Sequence, residues 1–199
     1  KTRSLDIDIS INKLTGEDMN NVLSFSCGCE ELDHFFHEEI YLCTKHHYIS
    51  AYCAKDIRTN EIVAIFTLSN DSVVIDNVED RDDFVEMSKS RIDNEYIPTF
   101  EKQTSFPAIN IGHLGVRTNI QSKGVGEQIL DFVLYTFSNY NISGCQFITV
   151  DSLNNKRTNK FYVRNGFANQ TNSDSYNPTR RMYLPIQSVS YTHLRAHET

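Results

Sequence analysis

Hydrophobic and polar residues change their spacing several times along the chain, and each change marks an element. Ile7, Ile9 and Ile11 alternate with polar residues, which is the two-residue period of a strand. Thr15 and Asp18 have the spacing of a capping box and open a short helix to about Phe25. From about Glu30, the residues Leu32, Phe35, Phe36, Ile40 and Cys43 fall on one helical face, a pattern that reads as core packing. Tyr48 to Lys55 and Ile62 to Ser69 read as two strands, joined by a hairpin turn at Arg58-Thr59-Asn60-Glu61. After Pro107, Ala108 to Val116 is an apolar strand. Val125, Ile129, Phe132, Val133 and Phe137 then mark a helix with one apolar face. Gln146 to Asp151 is a strand, and Asn155 to Asn165 a short helix closed by Gly166 in the place of a C-cap. Thr179 to Ile186 is the last strand. This alternation predicts one α/β or α+β domain over residues 1–188.

Two segments break the pattern. Asp71 to Gln103 is acidic, with Asp80, Asp82, Asp83 and Glu86 close together and one helix-like patch around Phe84 to Ile92. It reads as a lid or substrate-facing insertion, or as solvated decoration, which is the commoner meaning of a charge cluster. Residues Val189 to Thr199, VSYTHLRAHET, fit nothing before them and resemble the conceptual translation of a transposase adapter from sequencing libraries. The natural chain is therefore expected to end near Ser188. No function is expected of His193 and His197, despite their helical spacing.

Composition narrows the classes. The 199 residues are 39% hydrophobic, enough for a packed core. No apolar run is long enough to span a bilayer and no signal peptide leads the chain, so the expected location is cytoplasmic, with no membrane partner. The first residue is not Met, so the true start is expected upstream. The net charge of −7 argues against a general phosphate-backbone binder, yet leaves room for a local basic patch. The cysteines Cys27, Cys29, Cys43, Cys53 and Cys145 are expected to be reduced. Cys27-Gly28-Cys29, near His34, His37, His46 and His47, lacks the two-residue gap of paired zinc ligands, and no metal site is expected.

The candidate chemistry lies between strand and helix, at Gln121-Ser122-Lys123-Gly124-Val125-Gly126. The first helical turn has N–H groups without intrahelical partners, and the helix dipole adds positive potential there. Glycine lets a ligand approach the backbone closely, and Lys123 adds a full charge. A pyrophosphate suits such a site. Lys123 precedes Gly124 instead of following a glycine and leading to Ser or Thr, which disfavours a nucleotide triphosphatase. Gly126 is not followed by the third glycine of the dinucleotide fingerprint.

The remaining pattern, Gln-x-x-Gly-x-Gly after a strand ending Leu-Gly-Val, resembles the signature of the GNAT superfamily of acetyl-CoA-dependent N-acetyltransferases. "NKRTNKFYVRNGF", Asn155 to Phe167, is similar to the family's following motif. The resemblance covers roughly Ile7 to Ile186 and implies a mixed central sheet of about six or seven strands flanked by about four helices. "FSCGCEELDHFF", Phe25 to Phe36, is similar to a pattern in acetyltransferase toxins of toxin–antitoxin modules, which acetylate aminoacyl-tRNA. The acidic balance and the acidic segment depart from that branch.

The resemblance implies acetyl-CoA as co-substrate and a primary amine as acceptor, on a small molecule or on aminoacyl-tRNA. It implies that the backbone of Leu114, Gly115 and Val116 holds the pantetheine arm, with an N–H at or near Val116 polarising the thioester carbonyl. The amides of Ser122 to Gly126, including Val125, would take the pyrophosphate, with Gln121 at the loop mouth, Lys123 nearby and Asn155 touching the cofactor. Tyr162 matches the family's general acid, its phenol near ~10 being close to an alkyl thiol. His113 is a candidate base, or else a packing residue facing away from Leu114. Asp151 is a candidate for orienting an amine, or simple turn chemistry. An α-amino acceptor with a pKa of ~8 would make a strong base unnecessary. A non-catalytic CoA-binding module is the alternative from another class. A homodimer and an antitoxin are the open questions of assembly.

Overall fold

The structure is a computed structural model and describes residues 7–140 and 142–186. The expected adapter-like tail lies outside the described residues. Strand β1 (Ile9–Lys13) leads to a 3-10 turn at Gly16–Asp18 and helix α1 (Met19–Leu23). The capping box is present, with Thr15 N–H donating to Asp18 Oδ2 at 2.9 Å. Next, α2 (Glu30–His34), a π-helical turn (Phe35–Glu39) and α3 (Ile40–Lys45) run on without a break. Strands β2 (Ser50–Asp56) and β3 (Ile62–Val73) follow, then α4 (Val78–Lys89) and α5 (Ile97–Phe100). Strand β4 (Phe106–Val116), helix α6 (Val125–Ser138), strand β5 (Phe147–Leu153) and helix α7 (Lys156–Arg164) carry the motif-bearing part. Strands β6 (Ala168–Asn169) and β7 (Thr179–Pro185) close the chain. The seven strands form one mixed sheet in the order β1-β2-β3-β4-β5-β7-β6.

By contact density the chain divides into two compact units, Lys1–Ser69 with Ile111–Phe132, and Asn70–Asn110 with Val133–Thr199. In the first unit, alternate residues of β3 point to opposite faces. Phe66 meets Phe132 of α6 at 6.2 Å, while Ile65 joins Val22, Phe25, Phe35, Phe36 and Ile40 in the core under α1–α3. The π-helical turn has a packing consequence. Successive residues of an α-helix face about 100° apart, yet Phe35 and Phe36 are both buried. The wider turn lets both rings reach the sheet side.

In the second unit the acidic segment is not solvated decoration alone. Its helices α4 and α5 insert Phe84 and Phe100, each under 3% exposed, into a cluster with Phe106, Phe147 and Tyr183. Ring centroids lie 4.7–5.1 Å apart around Phe84 and Phe106. Asp82, Asp83 and Glu86 are exposed, Asp80 is half-buried and accepts from the Thr171 hydroxyl at 2.7 Å, and the aromatics anchor the segment. Asn77 caps α4 by accepting from Glu79 N–H at 2.9 Å.

Candidate active site

The strand–loop–helix junction of the first unit is built by backbone geometry. Ser122 (φ 64°) and Gly124 (φ 80°) both take the left-handed conformation, which reverses the chain just before α6. The first intrahelical bond there is Gln128 N–H to Gly124 carbonyl, 3.1 Å. The N–H groups of Val125, Gly126 and Glu127 therefore precede the first repeat of the helix ladder. Ser122 and Lys123 are exposed, whereas Val125 is buried and pins the start of α6. This donor set, with a dipole end and one ammonium, fits a diphosphate.

Gln121 plays a part that its place in the pattern did not announce. Its amide nitrogen donates to the carbonyls of Cys27 (2.7 Å) and Val116 (3.0 Å). It thus fastens the loop to the end of β4 and to the Phe25–Cys29 segment. That segment is itself braced. Cys27 N–H and the Ser26 hydroxyl donate to Asp33 Oδ1 and Oδ2 at 2.8 and 2.6 Å. Burial pushes the Asp33 carboxyl up, but these hydrogen bonds outweigh it and hold it below the usual carboxylate range. Gly28 is left-handed at φ 79°, and Thr118 N–H donates to Ser26 carbonyl at 3.2 Å. Burial pushes the Cys27 thiol up to about 12, so it behaves as a packing group and not as a nucleophile. All five cysteines are free, and the described residues contain no cluster of three side chains able to hold a metal.

Gly115 shows why this bracing matters to β4. A Cβ there would lie 2.7 Å from Phe36 Cε2 and 3.1 Å from Cys27 Cβ. The strand is pressed against the π-helical turn and the Cys27 loop at the position where the resemblance puts the pantetheine arm. Leu114 and Val116, on either side, are partly exposed. Cys27, Asp33 and Phe36 were not among the residues singled out for the site. The FSCGCEELDHFF pattern, Phe25 to Phe36, carried their signal without indicating what they touch.

His113 is half-buried and stacks on Phe35, with centroids 3.6 Å apart and planes 4° from parallel. Its Nδ1 is 3.0 Å from Thr67 Oγ1, which also accepts from His113 N–H at 3.1 Å. Burial lowers the imidazole pKa, and the charge of Glu39 offsets this only in part. The ring is therefore neutral at pH 7. If Thr67 donates to Nδ1, the proton sits on Nε2. If Nδ1–H donates to Thr67, Nε2 is free to accept.

The other two motif residues lie in the second unit. Asn155 is the N-cap of α7, its side-chain oxygen accepting from Thr158 N–H at 2.9 Å. Tyr162 is 7% exposed and packs edge-on against Phe161 and Phe167, at 5.1 and 5.2 Å. Burial pushes its phenol well above the ordinary value, so it stays protonated at neutral pH but is a weaker acid than the match to an alkyl thiol expected from the sequence. Asp151 is not at a strand end as expected but lies inside β5, opposite Arg181 of β7, whose Nη1 donates to it at 3.0 Å while Nη2 pairs with Asp71.

No protein-family model and no curated protein matches the chain. Solved structures do match it. A mutant of KacT superposes with a TM-score of 0.68 at 17% identity, over 89% of this chain and 95% of that one. AtaT complexed with acetyl-methionyl-tRNAfMet gives 0.67 at 16%, over 96% and 100%. A mutant AtaT toxin bound to the C-terminus of the antitoxin AtaR and acetyl-CoA gives 0.64 at 16%, over 90% and 94%. At these identities the likeness establishes the fold alone, and it is the GNAT fold that the resemblance implied. The particular structures it is shared with are toxins of the AtaT and KacT type. Among the described residues, no helix is long and apolar enough to cross a membrane.

Proposed function

We propose that this protein is a GNAT-type N-acetyltransferase that moves an acetyl group from acetyl-CoA to the α-amino group of an aminoacyl-tRNA. The observation that carries the cofactor half is the amide-rich turn at Ser122–Gly126, left-handed at two positions and opening a helix of 14 residues. The acceptor half is supported by the neighbours, one of which was solved with acetyl-methionyl-tRNAfMet and another with an antitoxin. An antitoxin partner belongs to the same reading. The net charge of −7 favours a second reading, a small primary amine as acceptor.

Acetyl-CoA supplies the acyl group as a thioester. The amides of Ser122 to Gly126, aided by Lys123, hold its diphosphate. The main chain of Leu114, Gly115 and Val116 orients the thioester arm, and the Val116 N–H polarises its carbonyl oxygen. Asn155 contributes its side-chain amide nitrogen to the cofactor while its oxygen caps α7. Gln121 keeps the loop in register with β4. The amine is neutral near its own pKa of ~8 and needs no strong base. Where a base assists, it is His113 in the tautomer that leaves Nε2 free. The Tyr162 hydroxyl, held protonated by burial, delivers a proton to the departing sulfur.

The test is transfer of radiolabel from acetyl-CoA to purified aminoacyl-tRNA by the wild type and by Tyr162→Phe. The expected result is a labelled acetyl-aminoacyl ester with the wild type. Tyr162→Phe should lower the rate roughly 10²- to 10⁴-fold while binding CoA normally. Label on small amines but never on aminoacyl-tRNA would overturn the acceptor in favour of the second reading. Unchanged turnover in Tyr162→Phe would remove Tyr162 from the mechanism.

A further inference from the structure

The turn between β6 and β7 presents Tyr176, an aromatic side chain that is 100% exposed. A single exposed aromatic on a loose loop needs no explanation. This loop is tied down on both sides of the tyrosine. Asp174, 7% exposed, accepts from Arg181 N–H at 2.7 Å. Asn177 N–H donates to Asp174 carbonyl at 2.9 Å, and Ser175 N–H to Asn172 carbonyl at 3.3 Å. Asn154, at the end of β5, donates from its side chain to the carbonyls of Ser175 and Asn177, both at 2.8 Å. Its own N–H donates to Pro178 carbonyl at 2.8 Å. The residues before and after Tyr176 thus have their carbonyls held by one amide, while the ring between them touches water.

The same amide leads to α7. Asn159 donates to Asn154 Oδ1 at 2.9 Å, and the Ser152 hydroxyl donates to Asn159 Oδ1 at 3.2 Å. Asn159 is one turn ahead of Tyr162 on the same helix. A hydrogen-bonded ladder therefore fixes the Tyr176 turn to the helix that carries the proposed acid.

We propose that Tyr176 is a stacking platform for an unpaired nucleobase at the single-stranded 3′ end of the acceptor RNA. A tyrosine face held on a pre-organised turn offers stacking area at little cost in conformational freedom, and such stacking is indifferent to base identity. Asn172 and Asn177, in the same turn, are exposed, and their side-chain amides are of the kind that hydrogen-bonds base edges. The inference rests on the aminoacyl-tRNA reading above and adds a contact to the RNA itself.

Two measurements test it. The chain contains no tryptophan, so Tyr176→Trp introduces a single fluorescent reporter. Its emission should be quenched by an RNA oligonucleotide ending in CCA. No change on adding that RNA, or quenching that follows protein concentration alone and so reports self-association, would overturn the proposal. In the second, Tyr176→Ala should raise the KM for aminoacyl-tRNA about ten-fold, and Tyr176→Phe should restore it, with the KM for acetyl-CoA as internal reference. Because the ring is fully exposed, its loss removes no core packing, and unfolding midpoints verify this. If the wild type acetylates aminoacyl-tRNA and Tyr176→Ala keeps the same KM, this inference falls alone. If the wild type acetylates no aminoacyl-tRNA, the acceptor reading falls and takes the inference with it.

Discussion

Replacing Gly115 by alanine tests the packing that shapes β4. The added Cβ would sit 2.7 Å from Phe36 Cε2, against about 3.5 Å for an unstrained carbon contact, so about 0.8 Å of overlap must be relieved. Cys27 is no softer a neighbour, with its Cβ at 3.1 Å and its Sγ at 3.2 Å. Phe36 cannot retreat easily. It is 0% exposed and wedged edge-on against Phe25 and Phe35, at 5.7 and 5.8 Å. Overpacking of this kind costs about 1–3 kcal/mol. For a chain of this length that corresponds to a fall in melting temperature of roughly 2–12 °C. The strand can also relieve the clash by shifting away from the π-helical turn, which would move the backbone of Leu114 and Val116. Acetyl-CoA affinity should then drop as well.

The assay is denaturant unfolding of Gly115→Ala, Phe36→Leu and the double variant, with calorimetric titration of acetyl-CoA. Each single change is destabilising. In the double variant the leucine vacates the space that the new methyl needs, so the total loss should be smaller than the sum of the two. Strict additivity, or a Gly115→Ala protein with unchanged stability, would refute the claim that β4 is pressed against Phe36.

Other outcomes follow from single contacts. Asp33 has a lowered folded pKa, so its contribution is present above the ordinary carboxylate value of ~4 and is lost as pH falls through the folded value. Asp33→Asn should therefore flatten the acid side of the stability–pH curve, measured by urea unfolding. His113 also has a lowered folded pKa, so the unfolded chain takes up its proton first, and stability falls as pH drops below ~6.5. His113→Asn should remove that part of the pH dependence. Phe84→Ala should cost about 3–5 kcal/mol because it empties the centre of the aromatic cluster. A loss under ~1 kcal/mol would return the acidic segment to the status of decoration. Lys55→Ala leaves Asp18, 6% exposed, without the ammonium 2.6 Å away, and should lower the unfolding midpoint in a salt-independent way.

Legibility in the sequence followed the range over which each signal acts. The strands and the long helix were legible because their spacing is local, and so was the glycine loop. Gly124 sits at a left-handed position that few other residues tolerate, but Ser122 holds the same conformation and no residue type announced it. The π-helical turn was not legible, because consecutive phenylalanines fit an α-helical face nearly as well. In the acidic segment, the many surface acids of α4 masked the single inward face of Phe84, and α5, with Pro98 in its first turn, was too short to register. Strand β6 has two residues and no periodicity to detect.

The contacts that define the site lie at the far end of that range. Gly115 reads as a backbone position for a ligand, yet its nearest neighbours are Phe36 and Cys27, far earlier in the chain. Gln121 and Asn155 read as ligand contacts, yet one straps two carbonyls and the other caps a helix. The two parts predict different mutants. A Gln121→Ala change releases the loop and should lower both stability and affinity. Loss of a ligand contact alone would lower affinity and leave the unfolding midpoint in place. The shape of the amide-lined turn is therefore set largely by side chains that strap it from behind. The pattern Gln-x-x-Gly-x-Gly describes the geometry of the loop at least as much as its chemistry.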